Sequence, residues 1–116
     1  MSFGPSKITK PWGSYEIVHA EPGVQVKRIE VNSKCRLSLQ KHARRAEKWT
    51  VVKGSGVAVV NGKEIPVAVG HVIDVPVGVV HRMWNTGSGT LIFIEVQLGD
   101  YLGEDDITRL EDDYKR

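Results

Sequence analysis

Apolar and polar residues alternate along most of this chain in short runs, which is the spacing of β-strands whose two faces meet different environments. Residues 24–31 alternate in this way, and residues 91–97 form a strongly apolar run. Asn61 and Gly62 separate two such runs and form the strongest short hairpin signal that a sequence carries. The pattern predicts about nine strands, at residues 14–19, 24–31, 35–42, 47–53, 57–60, 63–67, 72–75, 81–84 and 91–97.

The two ends of the chain follow other patterns. Residues 1–9 are polar and contain Gly and Pro, which predicts an N-terminal arm that Trp12 ties down. In residues 103–114, Ile107, Leu110 and Tyr114 recur at helical spacing behind an acidic first turn. Early acidic residues suit the positive end of a helix dipole, so a short C-terminal helix is expected. The expected architecture is one domain, 1–116, that is all-β, an antiparallel sandwich or barrel, with this helix at its end.

Composition narrows the function classes. The formal net charge of +2 over 116 residues, with no long basic run, argues against nucleic acid as a partner. No apolar run approaches the roughly 20 residues that span a bilayer, and no signal peptide pattern is visible, so no membrane contact and a cytoplasmic location are expected. The single cysteine, Cys35, excludes an intrachain disulfide and fits a reducing compartment.

Four residues carry groups that bind divalent metals. Gln40 and His42 are two positions apart, so on a strand they share a face, and Glu47 follows after a gap that suits a return loop. His81 is the natural fourth ligand. A mixed set of oxygens and imidazole nitrogens suits Zn²⁺, while Mn²⁺, Co²⁺, Ni²⁺ and Fe²⁺ are chemically reasonable. The alternative is a polar cavity that is merely hydrated.

The spacing around these residues resembles the cupin superfamily. The second cupin motif is Gly, five residues, Pro, one residue, Gly, two residues, His, three residues, Asn. It is filled here by Gly70, Pro76, Gly78, His81 and Asn85. The first motif is matched in part, because Lys34 and Gln40 replace its opening glycine and first histidine. The resemblance implies a cupin-type antiparallel β-barrel or jelly roll.

A narrower resemblance explains the glutamine. Five segments are similar, in this order, to the isomerase domain of type II mannose-6-phosphate isomerases, which is often fused to a guanylyltransferase. They are the segments 10–15 (KPWGSY), 36–40 (RLSLQ), 45–47 (RAE), 80–82 (VHR) and 94–97 (IEVQ). The ending at 101–107 (YLGEDDI) is also similar. The resemblance runs from about residue 10 to 114 and implies the stand-alone form of this domain. Members usually carry a histidine-rich run after the glutamine, where this chain has Lys41, Ala43 and Arg44, and a catalytic histidine where it has Lys48.

The resemblance implies metal-dependent interconversion of mannose 6-phosphate and fructose 6-phosphate through a cis-enediol, in GDP-mannose and polysaccharide metabolism. It assigns Arg45 to the catalytic centre, where a permanently charged guanidinium stabilises the enediolate or holds the sugar. The base is left open between Lys48, if burial lowers its pKa, and Glu95, if its side chain faces the cavity.

Substrate contacts are expected from residues that share strand parity with Gln40 or offer charge to a phosphate. Arg36 and Ser38 share that parity, and Arg82 adds a further cation, although each charge is equally explained as a solvated strand residue. Trp12 or Trp49 is a candidate floor for the sugar, although both are first of all large packing residues.

Two other functions are compatible with the same motifs. One is a non-catalytic metal-binding cupin that binds a sugar or sugar phosphate, and the other is a different metal-dependent cupin enzyme such as a dioxygenase. A homodimer is expected by analogy with small cupins, which often pair through sheet edges.

Overall fold

A computed structural model describes residues 7–114. In this range the chain forms eleven β-strands and no helix. The strands are β1 Lys7–Lys10, β2 Gly13–Glu21, β3 Val24–Val31, β4 Leu39–Lys41, β5 Arg45–Lys53, β6 Ser55–Val60, β7 Lys63–Ala68, β8 Val72–Val75, β9 His81–Trp84, β10 Leu91–Gly99 and β11 Thr108–Glu111. None of the described segments is a helix long and apolar enough to cross a membrane.

All strand pairs are antiparallel and form two sheets. One has six strands in the order β1-β2-β3-β10-β5-β8, and the other has five in the order β11-β4-β9-β6-β7. Trp49 and Phe93 of the larger sheet and Ala58 and Met83 of the smaller one belong to a single buried cluster. The arrangement is a jelly-roll sandwich, which confirms the predicted all-β antiparallel fold.

The Asn61-Gly62 hairpin is confirmed in detail. Val60 pairs with Lys63, which leaves two residues in the loop between β6 and β7. Both loop residues have positive φ, 51° for Asn61 and 80° for Gly62. These angles are those of the type I′ turn, whose twist matches that of the strands that it joins.

The predicted C-terminal helix is wrong. Residues 103–107 form a turn and an extended segment, and β11 then pairs with β4, with Thr108 opposite Lys41 and Arg109 opposite Gln40. A helix of this length is marginal in water, so its spacing signal was weak. The exposed backbone groups of the short strand β4 offered this segment hydrogen bonds, and pairing with them replaced the local preference.

The predicted N-terminal arm is corrected in part. Its last residues belong to β1, where Ile8 pairs with Tyr15 of β2. Residues 1–6 lie outside the described range. Because β1 and β11 were not predicted, the structure has one strand more at each end of the chain than the alternation indicated.

Candidate functional site

Three predicted ligands meet between the sheets. His42 directly follows β4, Glu47 points inward from β5, and His81 begins β9. All three are at most 3% exposed, and one ligand atom from each lies within 4.8 Å of the other two. The His42 Nε2 atom is 3.2 Å from Glu47 Oε2, and His81 Nε2 is 3.6 Å from Glu47 Oε1.

These separations fit a shared divalent ion. Zinc binds imidazole nitrogen and carboxylate oxygen at about 2.0–2.2 Å, which places neighbouring ligand atoms of a tetrahedron roughly 3.3–3.6 Å apart. The two measured distances fall close to this range. The donor set therefore suits a divalent metal in both its chemistry and its spacing.

Backbone carbonyls orient both imidazoles. His42 Nδ1 lies 2.7 Å from the Asp106 carbonyl oxygen, and His81 Nδ1 lies 2.9 Å from that of Val79. In each ring the Nδ1–H donates, so Nε2 keeps its lone pair and faces Glu47. This arrangement is usual for histidines that bind metals, because the outer hydrogen bond fixes both tautomer and ring angle.

Gln40, the fourth predicted ligand, lies beside this group. It pairs with His81 in the register of β4 and β9, so both side chains project from the same face. Its amide nitrogen donates to Ser38 Oγ over 3.0 Å. Gln40 lines the same cavity as Glu47 and His81, and its role as a fourth ligand stays a prediction.

Arg45 binds the metal ligands directly. Its Nε and Nη2 atoms each lie 2.8 Å from Glu47 Oε2, and Nη2 donates to His42 Nε2 over 3.1 Å. The guanidinium is 5% exposed, and among the described residues its Nη1 atom has no hydrogen-bond partner. A buried N–H without an acceptor is costly, so Nη1 is available to an oxygen of a bound molecule.

Glu95 lines the cavity, which is the condition on which its candidacy as a base depended. It is 5% exposed, and Gln97 Nε2 donates to its Oε2 over 2.7 Å. Burial, followed by the negative charge of Glu47, raises the pKa of the Glu95 carboxyl well above its usual range. The neighbouring carboxyl groups of Glu47 and Glu95 thus differ in proton affinity. Glu95 holds its proton more tightly, whereas the surroundings of Glu47 keep that group charged.

The remaining shifts have matching causes. Burial by itself raises the pKa of Glu47, but the hydrogen bond with His42 and electrostatic interactions with His81 and Arg45 outweigh it and lower that pKa. Burial lowers the pKa of the His81 imidazole. These directions favour the carboxylate form of Glu47 and the neutral form of His81, which are the forms that bind metals.

Most of these groups line one cavity of about 130 Å³, and His42 is not among its lining residues. The predicted substrate residues Ser38, Arg82 and Trp12 also line it, and they are 1%, 4% and 5% exposed. Arg82 donates to the Leu37 carbonyl and to Glu111, and its Nη2 atom has no partner within residues 7–114. The other lining residues are Lys10, Tyr15, Lys27, Ile29, Leu37, Gln40, Arg45, Glu47, Trp49, His81, Met83, Glu95, Glu104, Ile107 and Arg109.

Two predicted site residues do not reach the cavity. Lys48 lies between the inward-facing Glu47 and Trp49 on β5, so it projects from the opposite face, where it is exposed and paired with Asp74 at 2.6 Å. Lys48 therefore lacks the burial on which its predicted role as a base depended. Arg36 is held by Asp113 in a two-point ion pair at 2.7 and 3.0 Å, away from the residues that line the cavity.

Sequence reasoning missed two contributors. Lys27 was not singled out, although it shares strand parity with Ile29 and Val31, and that parity placed it inside. Asp106 was assigned to a helix turn. Its carboxylate instead accepts hydrogen bonds from the backbone N–H groups of Ala43 and Arg44, both at 2.9 Å. No local signal marks this role, because the contact joins segments more than sixty residues apart.

Replacing Asp106 by alanine is expected to weaken metal binding about 10–100-fold while the fold is kept. The side chain fixes the loop that carries His42, and outer partners of metal ligands typically contribute that much. Titration of the protein with Zn²⁺ by calorimetry measures the change. Asp105→Ala, at the neighbouring exposed carboxylate, is the matched control. Equal zinc affinity of Asp106→Ala and the wild-type protein contradicts this positioning role.

Comparison with known proteins adds independent findings. The profile of the family described as "Mannose-6-phosphate isomerase C-terminal" matches residues 4–112. The alginate biosynthesis protein AlgA of Pseudomonas aeruginosa is 46% identical over 110 residues, which are 95% of this chain and 23% of AlgA. The mannose-1-phosphate guanylyltransferase of Escherichia coli is 39% identical, with the same coverage of both chains. This chain therefore spans about a quarter of the length of these relatives.

Solved structures share the fold at lower identity. The capsular polysaccharide assembling protein CapF of Staphylococcus aureus superposes with a TM-score of 0.83 and 23% identity, over 95% of this chain and 35% of that one. Streptomyces Pac13, solved with uridine, gives a TM-score of 0.78 and 17% identity, over 93% and 86% of the two chains. Both confirm the cupin fold.

Proposed function

We infer that this chain, which belongs to the mannose-6-phosphate isomerase C-terminal family, is a metal-dependent isomerase of mannose 6-phosphate and fructose 6-phosphate. The observation that carries the proposal is a buried group of three side chains that could hold a metal, two of which line one cavity together with Arg45 and Glu95. Each of these groups has a separate task in the exchange of an aldose for a ketose.

The metal is the first requirement. His42, Glu47 and His81 would hold it, Gln40 would add an amide oxygen, and Zn²⁺ suits this set best. A divalent ion at this place supplies Lewis-acid polarisation of the sugar oxygens, which acidifies the adjacent C–H bond.

Glu95 is the group placed to move the proton. Its carboxylate takes the proton from C2 of the aldose, the electrons of that C–H bond form the C1=C2 bond, and the C1 oxygen takes up a proton from water to become the hydroxyl of a cis-enediol. In the second half the C2 oxygen gives its proton to water as its carbonyl forms, and the electrons of the C1=C2 bond take the proton back from Glu95 to form the new C1–H bond. One carboxyl can serve both halves because the face of a cis-enediol presents both carbons.

Arg45 complements this transfer. Its unpartnered Nη1 group donates to the oxygen on which negative charge develops, while Nε stays on Glu47. Nη2 would release His42 Nε2, whose one free lone pair the metal would take. Because the donor is fixed before reaction in a buried site, it needs no reorganisation when that charge appears.

The histidines that this chain lacks do not weaken the proposal. The positions where the resemblance expects them carry Lys41, Ala43, Arg44 and Lys48, all of them exposed and outside the cavity lining. Their side chains are therefore not needed for the chemistry described here. The predicted homodimer stays a prediction.

The test is conversion of mannose 6-phosphate to fructose 6-phosphate by protein loaded in turn with Zn²⁺, Mn²⁺, Co²⁺, Ni²⁺ and Fe²⁺. We expect turnover that depends on the metal and stops when a chelator removes it. Bound metal and a folded protein without turnover would sink the isomerase proposal in favour of a sugar-binding cupin. Oxygen consumption with Fe²⁺ would indicate oxygenase chemistry instead.

A further inference from the structure

Lys27 is a buried cation inside the candidate active site. Its side chain is 5% exposed, it lines the cavity, and its ammonium lies 4.3 Å from the centroid of the Tyr15 ring. An ammonium group leaves water at a high cost unless an anion accompanies it. In the described structure that anion is Glu104, which accepts a hydrogen bond from Lys27 Nζ.

The two members of this ion pair differ in their freedom to move. The Glu104 side chain is 56% exposed and lies in the segment between β10 and β11, whereas Lys27 is fixed in the middle of β3. Glu104 can therefore leave the Lys27 ammonium and be hydrated by water at little cost in free energy. Lys27 is buried and cannot replace its partner by water in this way. A Lys27 separated from Glu104 needs another anion.

A second cation lies beside the first. The Lys10 ammonium is 5.9 Å from the centroid of the same Tyr15 ring, and Lys10 also lines the cavity. Tyr15 adds a hydroxyl, a donor with the geometry that a phosphate oxygen accepts. Two ammonium groups and a hydroxyl around one ring form a site with the charge and the donors that bind a phosphate dianion.

The position of this group relative to the metal ligands fits a hexose 6-phosphate. Lys27 pairs with Glu95 across β3 and β10, and Glu47 lies on β5 at the other side of β10. Two strand spacings separate β3 from β5 by about 10 Å. A six-carbon chain with its ester oxygen extends roughly 8–9 Å from C1 to phosphorus, given C–C bonds of about 1.5 Å.

From these contacts we propose that Lys27, Lys10 and Tyr15 form the subsite for the substrate's phosphate and that Glu104 is a resident counterion which the phosphate displaces. This inference rests on the proposed function, because it assigns the end of the substrate that does not react. The cavity of about 130 Å³ is smaller than the roughly 300 Å³ at which ligand pockets begin. Displacement of Glu104, with the adjacent Ile107 that also lines the cavity, provides the missing room.

The subsite also replaces an earlier expectation. Arg36 was predicted to contact the phosphate, but Asp113 and Glu111 already satisfy it outside the cavity. Lys27 has a partner that exchanges readily, and it points at the same space as Glu95. The phosphate therefore binds on the β3 side of the cavity in this proposal.

The test uses the full chain loaded with the metal that supports turnover, and two substitutions with opposite expected effects. Lys27→Met keeps the length of the side chain and removes its charge. It is expected to raise the KM for mannose 6-phosphate ten- to a hundredfold and to weaken binding of inorganic phosphate by a similar factor, since charge-assisted bonds are lost. Glu104→Gln removes the competing anion and is expected to lower the KM and to tighten phosphate binding two- to tenfold.

Lys63→Met, at an exposed residue of the β6–β7 hairpin, is the matched control for loss of one positive charge. Thermal melting followed by circular dichroism verifies that each variant is folded. Unchanged phosphate affinity in Lys27→Met, or no tightening in Glu104→Gln, overturns the subsite. Because Glu104 is exposed, Glu104→Gln is expected to fold. Its phosphate binding therefore tests the subsite even if Lys27→Met does not fold.

Titration with inorganic phosphate separates this inference from the isomerase proposal. If the protein has no turnover but binds phosphate, and that binding disappears in Lys27→Met, the isomerase proposal is contradicted and the subsite is supported. If the protein has turnover but Lys27→Met changes neither its KM nor its phosphate affinity, the isomerase proposal is supported and the subsite is overturned.

Discussion

Glu47→Gln is expected to weaken zinc binding by more than 100-fold and to remove isomerase activity with it. Glu47 is the residue that both histidines of the metal group face, at 3.2 and 3.6 Å. The amide keeps the shape of the carboxylate but loses its charge. Removal of a ligand exceeds the 10–100-fold cost of removing an outer partner.

The same substitution is expected to destabilise the protein in the absence of metal. Arg45 is 5% exposed and forms its ion pair with Glu47, so the amide leaves a buried guanidinium without a counterion. Breaking a buried ion pair in this way costs about 3–5 kcal/mol. Urea unfolding without metal measures this loss.

Metal-linked stability gives a readout that does not depend on catalysis. Free Zn²⁺ at a hundred times its dissociation constant stabilises the wild-type protein by about 2.7 kcal/mol, because it binds only the folded state. In Glu47→Gln this increase should vanish. Glu64→Gln, at an exposed carboxylate of β7, is the matched control and should behave as the wild type. Undiminished zinc affinity in Glu47→Gln would show that the metal lies elsewhere.

Glu95→Gln is expected to lower kcat by about 10²–10⁴-fold while metal binding is retained, which is the range for loss of general acid–base catalysis. The amide cannot take up or return the proton. Its oxygen can still accept the hydrogen bond from Gln97, so the surrounding packing is kept. Steady-state kinetics together with a zinc titration measures the two effects separately.

Lys48→Gln decides between the two bases that the sequence left open. Lys48 projects from the outer face of β5 and pairs with Asp74 in solvent, so its loss is expected to leave kcat within about twofold of the wild type. A large loss in Lys48→Gln together with a normal rate in Glu95→Gln would reverse the assignment. If both variants react as fast as the wild type, neither Lys48 nor Glu95 is the base.

The candidate catalytic apparatus lies within a chain that spans about a quarter of the relatives it matches. Within residues 7–114, Glu47, His81, Arg45 and Glu95 line one cavity, and His42 contacts Glu47 and Arg45. The segment after β10 contributes to the site, because Asp106 orients the loop of His42, and Glu104 and Ile107 line the cavity.

Several features could be predicted from the sequence because short-range chemistry determines them. Alternation of side chains identified the strands, and Asn61-Gly62 identified its hairpin, since positive φ is cheap for these two residues. The cluster of His42, Glu47 and His81 followed from motif spacing, because a strand, a tight loop and a return strand carry ligands to one face. Asn85, the last residue of the second motif, donates to the carbonyls of Val31 and Gly89.

Other features depended on contacts between distant segments, and the sequence did not reveal them. Residues 103–114 have helical spacing, but residues 108–111 pair with the edge of β4 and form a strand instead. The choice of base between Lys48 and Glu95 stayed open until the face of each strand was known, since one step along a strand reverses the side-chain direction.

The sequence by itself determined the β architecture through local propensity, and its motifs indicated the family by resemblance and the candidate metal ligands by residue types at fixed spacing. Only the tertiary structure decided which charges are buried. It placed Lys27 and Glu95 inside and Lys48 and Arg36 outside, and it joined Asp106 to the loop of His42. Burial and pairing belong to the packing of two sheets, and no window of neighbouring residues contains that information.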